Sequence, residues 1–153
     1  MSFYSLKTEL NLPISLDEAW DFFSSPLNLS KITPEEMGFK ITNQPAKTMF
    51  EGQIITYKVS PMFGIKINWM TEITTVFEGK YFIDEQRFGP YALWHHRHEF
   101  EEIKGGVKMI DEVNYKLPLG ILGRLAHTLF VRKKLAHIFE YRERILVKTF
   151  GKL

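Results

Sequence analysis

Cysteine is absent from this 153-residue chain, which excludes disulfides, thiolate metal sites and cysteine nucleophiles together. Charge of one sign is scarce as well. The 20 Lys and Arg face 18 Asp and Glu, a surplus of +2 that is too weak to point to nucleic acid or to an acidic membrane. Apolar runs stop far short of the roughly 20 residues a spanning helix needs, so no integral membrane contact is expected. The stretch that begins Met1-Ser-Phe-Tyr-Ser has no basic region followed by an apolar core. No signal peptide is therefore read, and a soluble, cytoplasmic protein is expected. Repeats, low-complexity segments and linkers are missing too, so residues 1–153 are read as one domain, long enough to bury a sizeable core.

What the chain has in quantity is aromatic side chains, at 14%, with 13 Phe, 6 Tyr and 3 Trp. Large rings build large cores, and they also line hollow ones. Residues 3–12 alternate loosely up to Pro13 and predict a strand. Ser15-Leu-Asp-Glu18 has the form of a capping box, and Ala19, Trp20, Phe22 and Phe23 give the following helix an apolar face until Ser25-Pro26 ends it. A second short helix is predicted over 27–32, closed by Pro34. From 39 to 117 the period becomes two, with strands predicted at 53–59, 65–77, 81–88, 91–103 and 107–117. Short turns between them, with Lys104-Gly105-Gly106 the clearest, make an antiparallel meander. In the last segment Leu122, Leu125, Leu129, Ala136, Phe139, Leu146 and Phe150 recur at helical spacing, with Val131, Leu135, Ile138 and Ile145 widening the stripe. One long helix is predicted there, covering the aromatic face of the sheet.

Alternation assigns faces, and it puts polar residues where apolar ones belong. Trp94, His96, His98 and Phe100 share the inner face of one strand. Asp111 sits among Val107, Met109, Val113 and Tyr115 in the next, while Phe82, Asp84, Gln86 and Phe88 share a face in the strand before. A tight hairpin at Lys104-Gly105 sets His98 opposite Asp111; a loop one residue later sets it opposite Val113. A three-residue connection through Gly89-Pro90-Tyr91 sets Asp84 opposite His96 and Gln86 opposite Trp94. An ionised carboxylate in a dry core costs several kcal/mol unless paired. Asp84, Gln86, His96, His98, Asp111 and Tyr115 therefore form either a closed hydrogen-bond network or the polar lining of a cavity. His96-Arg97-His98 places two imidazoles on one strand face, as some metal sites do, but His-x-His is common on strands. No metal or other cofactor is assigned. Gly120 and Gly123, where the long helix begins, are read as a plain connection after Pro118 rather than as a gate.

The segments Gly89-Pro-Tyr91, Trp94-His-His96-Arg-His98-Glu-Phe100, Asp111-Glu-Val-Asn-Tyr115 and Pro118-Leu-Gly-Ile-Leu-Gly123 resemble the SRPBCC (START-like, helix-grip, pollen-allergen-like) superfamily. Within it they look most like a bacterial subgroup of ligand-binding proteins. Ile32-Thr-Pro34, Gly38-Phe39, Gly52, Tyr57, Trp69 and Phe82-Ile-Asp84-Glu-Gln86 fit the same subgroup, so the likeness covers nearly the whole chain. It implies an α+β helix-grip fold: a curved antiparallel sheet of about seven strands around one long C-terminal helix, with two short helices after the first strand. It also implies a hydrophobic cavity between sheet and helix, and a lipid- or polyketide-like guest.

The leading functional expectation is a binding protein for a small, mostly apolar ligand. Tyr57, Trp69, Phe82, Trp94, Phe100, Leu125 and Leu129 would supply apolar walls, and Gln86, His96, His98, Asp111 and Tyr115 sparse polar contacts. The alternative is an enzyme of the polyketide cyclase or dehydratase kind. His96 or His98 would be its acid–base group, and Asp84 or Asp111 would fix the tautomer. A second alternative is a protein- or membrane-interaction module that uses the basic C-terminal helix, where Arg124, Arg132, Lys133, Lys134, Arg142, Arg144 and Lys148 cluster. Nothing in the sequence sets the oligomeric state.

Overall fold

The computed structural model describes residues 3–61 and 63–153. Met1 and Ser2, where the reading of the N-terminus begins, and Met62 lie outside the described residues. The first strand, β1 (Tyr4–Leu12), leads into helix α1 (Leu16–Phe23), which Ser15 caps by accepting a hydrogen bond from the Glu18 amide at 3.2 Å. Such a cap satisfies one of the free donors of the first turn. Two short 3-10 turns, Pro26–Ile32 and Glu35–Met37, carry the chain to β2 (Lys40–Ile41). The strands β3 (Ile54–Val59), β4 (Ile67–Phe77), β5 (Tyr81–Phe88), β6 (Leu93–Ile103) and β7 (Gly106–Lys116) then follow as a meander. The seven strands form one antiparallel sheet in the order β1-β7-β6-β5-β4-β3-β2, so the first strand closes beside the last.

The registers that position the polar residues come from the turns. Lys104-Gly105 is a two-residue turn between paired Ile103 and Gly106, with Gly105 at φ 88°, a conformation that costs glycine little. That turn sets His98 opposite Asp111, and the β5–β6 connection sets Asp84 opposite His96. The ladder between β5 and β6 ends at Glu85 and His95, so the expected pairing of Gln86 with Trp94 is not made.

Alternation holds along β6 and β7 but breaks twice in the β4–β5 pair, where Arg87 of β5 is the extra residue between the Met70–Phe88 and Thr71–Gln86 pairs and Thr74 of β4 the extra one between the Ile73–Asp84 and Thr75–Ile83 pairs. Each shift adds a residue and reverses the parity beyond it. Val76, not Thr75, therefore faces Phe82 and packs on the core, and Phe77 and Phe88 are turned to solvent.

The C-terminal helical run is α2 (Gly120–Ala126), a π turn (His127–Val131) and α3 (Arg132–Phe150). The wide turn takes up one residue more than an α-turn does, and one residue is about 100° of helix rotation. A single uninterrupted helix would have turned Leu122, Leu125 and Leu129 toward the sheet. Instead Gly123, His127, Val131, Leu135, Phe139 and Leu146 are buried, and Leu122, Leu125 and Leu129 are 67%, 56% and 50% exposed. At Gly123 a β-carbon would stand 2.1 Å from the Pro118 carbonyl oxygen. Glycine thus lets the helix start fold back on its own loop, which gives this residue a structural role.

Candidate functional site: a cavity with a carboxylate–imidazole floor

Between the sheet and α3 lies a cavity of about 170 Å³. Its walls are apolar: Ile55 and Tyr57 from β3, Trp69 and Ile73 from β4, Phe82 from β5 and Trp94 from β6. Val131, Leu135, Ile138 and Phe139 close it from the helix side, and Ile32, Met37 and Phe39 from the segment after α1. Leu135, Phe139, Trp69 and Phe82 belong to three packed clusters that meet around this space. The Trp69 indole N–H is buried without a partner among the described residues, whereas a buried donor is normally satisfied. The Tyr57 hydroxyl is paired with Thr71 at 3.0 Å.

One end of the cavity is polar. Asp84, His96, His98 and Arg142 line it, and Asp111 lies just beneath, 1% exposed. The two imidazoles lie with centroids 3.7 Å apart and planes tilted by 38°, with Phe82 stacked on His98 at 4.2 Å and Phe139 beside His96 at 5.8 Å. His98 Nε2 is 2.9 Å and His96 Nδ1 3.4 Å from the same oxygen, Asp84 Oδ2. On the other side His96 Nε2 is 3.1 Å from Asp111 Oδ1. His98 Nδ1 comes within 2.8 Å of that oxygen, but off the line of a hydrogen bond. Arg142 reaches Asp111 Oδ2 at 3.5 Å from α3 and lies over the Phe139 ring.

The titration of these groups follows from their burial and their neighbours. Burial opposes ionisation of Asp111, but His98, His96 and Arg142 outweigh it and hold its carboxyl well below the ordinary 3.8. The same contest lowers Asp84. Burial pushes His96 down from 6.5, assisted by the positive charge of its neighbour His98, against the pull of the two carboxylates. His98 is pushed down by burial too, but Asp111 and Asp84 win and raise it. Two carboxylates thus face one guanidinium and two imidazoles, of which His98 holds a proton more readily than His96.

Of the residues singled out from sequence, the structure brings Tyr57, Trp69, Phe82, Asp84, Trp94, His96 and His98 to the cavity wall, with Asp111 behind them. The others are elsewhere. Leu125 and Leu129 face outward because of the π turn. Phe100 packs behind the wall against Trp20, Phe23 and Phe82. Tyr115 donates or accepts at 2.9 Å with His127, whose ring stacks on Tyr4. Gln86 bonds both backbone groups of Tyr91, at 2.7 and 3.1 Å, and so clamps the loop through Gly89-Pro90. Arg142, Ile138 and Leu135 were not among the residues assigned to the site. The sequence places Arg142 with the basic residues of the C-terminal helix, although it falls between Phe139 and Leu146 on the buried stripe, a spacing that marks it.

A second feature lies outside the cavity. Leu119, Ile121, Leu122, Leu125, Leu129 and Phe130 are all exposed, and Phe130 meets exposed Phe63 at 5.8 Å. No carboxylate residue occurs between Glu112 and Glu140, while Lys116, Arg124, Arg132, Lys133 and Lys134 do.

No family model matches the chain, and no curated protein matches it. Solved structures do. The di-domain ARO/CYC BexL from the BE-7585A biosynthetic pathway is similar at a TM-score of 0.74 and 14% identity, over 99% of this chain and 50% of that one. Protein CV1439 from Chromobacterium violaceum also reaches 0.74, at 10% identity over 97% and 98%. Ara h 8.0201 reaches 0.59, at 15% identity over 96% and 99%. These likenesses concern architecture, and together with the strand order and the C-terminal helix they lead to one conclusion: the chain has an α+β helix-grip fold.

Proposed function

We propose that the protein binds a small, mostly apolar molecule carrying one or two polar atoms in the cavity between sheet and α3. The observation that carries this is an aromatic and aliphatic chamber with one cluster of carboxylate and imidazole groups in its wall. At about 170 Å³ it matches the scale of an apolar cavity of roughly 150 Å³ that admits benzene. A single ring or a short branched chain fits as it stands, and a longer lipid- or polyketide-like guest requires the walls to part. Burial of such a guest contributes about 25 cal/mol per Å² before the cost of association. The free Trp69 indole N–H favours a guest with an acceptor atom. Native mass spectrometry of the purified protein, together with titration of the apolar dye ANS, tests the reading. A retained small molecule or a saturable dye site supports it; neither would remove it.

The split between the two imidazoles favours a second reading, acid–base chemistry on the bound guest. Neighbouring groups whose pKa values are pushed apart supply a base and an acid at one pH. Here the neutral His96 would be the base and the imidazolium of His98 the acid, each positioned by a carboxylate. A cyclisation or dehydration of a polyketide-like substrate needs that pair. Such catalysis is worth about 10²- to 10⁴-fold, so His98→Gln should lose at least a hundredfold in turnover of a β-hydroxy ketone. Full turnover would remove His98 from the chemistry.

The outward apolar face of α2 and the π turn, with Arg124 on it and Arg132 and Lys133 exposed just beyond, supports docking on an anionic lipid surface, from which an apolar guest would be collected.

A further inference from the structure

The geometry points to Asp84, His96 and His98 as a binding site for a divalent transition ion of the zinc class, at the polar end of the cavity. The donor atoms of these three residues lie within 4.8 Å of one another. Asp84 Oδ2 stands 2.9 Å from His98 Nε2 and 3.4 Å from His96 Nδ1. A tetrahedral ion with bonds of about 2.0–2.2 Å sets its donor atoms roughly 3.3 Å apart. Both Asp84 separations are within a few tenths of an ångström of that spacing, and the two imidazole nitrogens, within 4.8 Å of each other, would close toward it for all three groups to share one ion. Two imidazoles and a carboxylate are a donor set suited to zinc, iron(II) or cobalt(II), not to magnesium or calcium.

The second carboxylate gives an independent reason. Each histidine turns one nitrogen to Asp84 and the other to Asp111 Oδ1, at 3.1 Å for His96 and 2.8 Å for His98. Asp111 takes the N–H of His96 Nε2, so the His96 Nδ1 that faces Asp84 carries a lone pair beside the Asp84 carboxylate. His98 Nε2 faces the same oxygen through the proton they share, and a cation in place of that proton would be held by all three groups. A carboxylate behind each metal-binding imidazole is the usual outer support, fixing tautomer and ring orientation. Arg142 holds the other Asp111 oxygen and keeps that carboxylate in its supporting place. The backbone is prepared as well: His96 and His98 are two apart on β6, Asp84 opposes His96 on β5, and Asp111 opposes His98 on β7. Sites on paired strands are held more firmly than sites on loops.

Charge and access agree with an ion. With both imidazoles neutral, Asp84, Asp111 and Arg142 leave one negative charge in a buried site. A divalent ion reverses it, and an anionic oxygen on the remaining coordination position would neutralise it. Asp84, His96 and His98 all line the cavity, so that position faces the space for the guest. The ion site does not depend on an apolar guest being bound.

Cobalt(II), added to chelator-treated protein at pH 8 with no organic ligand present, is the probe. One equivalent should develop the intense visible bands of a four-coordinate site, and zinc should displace it. Asp84→Asn and His98→Gln should each weaken binding at least tenfold, and Asp111→Asn tenfold to a hundredfold. His137→Ala, at the exposed His137–Glu36 pair, should leave it unchanged. Should a variant misfold, cobalt-induced paramagnetic shifts in the wild-type spectrum decide, centred on Trp94 and Phe139, whose rings flank His96. No bands and no heat up to millimolar cobalt would overturn the proposal, as would bands that persist in Asp84→Asn or shifts centred on His137. Dye binding and ion binding are read separately, so failure of either leaves the other standing.

Discussion

At the scale of single residues Asp111 ties the polar cluster together. It is the most buried member of the polar cluster, and it touches both imidazoles and the guanidinium of Arg142. Removing one partner of a buried ionic group leaves the others without compensation, at about 3–5 kcal/mol. Asp111→Ala should therefore lose about that much in urea unfolding, and a loss under 1 kcal/mol would show the cluster to be solvated. The pH dependence of chelator-treated protein should be a dome. His98, whose folded pKa is raised, contributes stability that is fully present below the ordinary 6.5 and is lost as pH rises through the folded value. His96, lowered by burial, works the other way: its contribution is present above 6.5 and is lost as pH falls through its folded value. Asp84 and Asp111 contribute above the ordinary 3.8 and fail as pH drops through their depressed values. Thermal melts across pH should thus decline on both sides of the slightly acid to neutral range. A monotonic rise with pH would contradict the raised His98.

Elements differ in how far their residues announce them. The inner faces of β6 and β7 were legible because period two runs unbroken from Trp94 to Phe100 and from Val107 to Tyr115. The two-residue turn at Lys104-Gly105 also selects one of the two registers considered. The extra residues at Arg87 of β5 and Thr74 of β4 were not legible. No glycine or proline stands at Thr74, and a bulge there changes parity without changing composition. The same holds for His127-Thr-Leu-Phe-Val131. Its residues suit an α-helix, yet one extra residue in the turn moves Leu125 and Leu129 to the solvent side and leaves Arg142 on the buried stripe. The consequence is measurable. Leu135→Ala and Leu146→Ala should cost about 2–5 kcal/mol, as buried leucines do. Leu125→Gln and Leu129→Gln should cost under about 0.5 kcal/mol. The opposite ranking in denaturant titrations would restore an uninterrupted helix.

For the molecule as a whole, fold and site separate. The order of strand, short helices, meander and long helix follows from periodicity and breakers, and solved structures of 10 to 15% identity share it. The cavity was legible only as a conflict, polar residues on an apolar face, because its shape depends on how α3 packs. No helix among the described residues is long and apolar enough to cross a membrane, but the outward face of α2 should hold the protein on anionic vesicles. Co-sedimentation should be strong at low salt and fall at high salt. A Leu122→Gln, Leu125→Gln double variant should lose most of it while keeping its stability. Equal sedimentation with neutral vesicles would argue against a role for the cations.

The central claim is that the space between sheet and α3 takes an apolar guest. It is tested most directly by titrating p-cresol, one apolar ring with one hydroxyl, and following the isoleucine methyl signals. Ile32, Ile55, Ile73 and Ile138 line the cavity, whereas Ile65 and Ile121 lie exposed. Saturable shifts confined to Ile32, Ile55, Ile73 and Ile138 are predicted; silence at these four, or shifts centred on Ile65 and Ile121, would contradict the account.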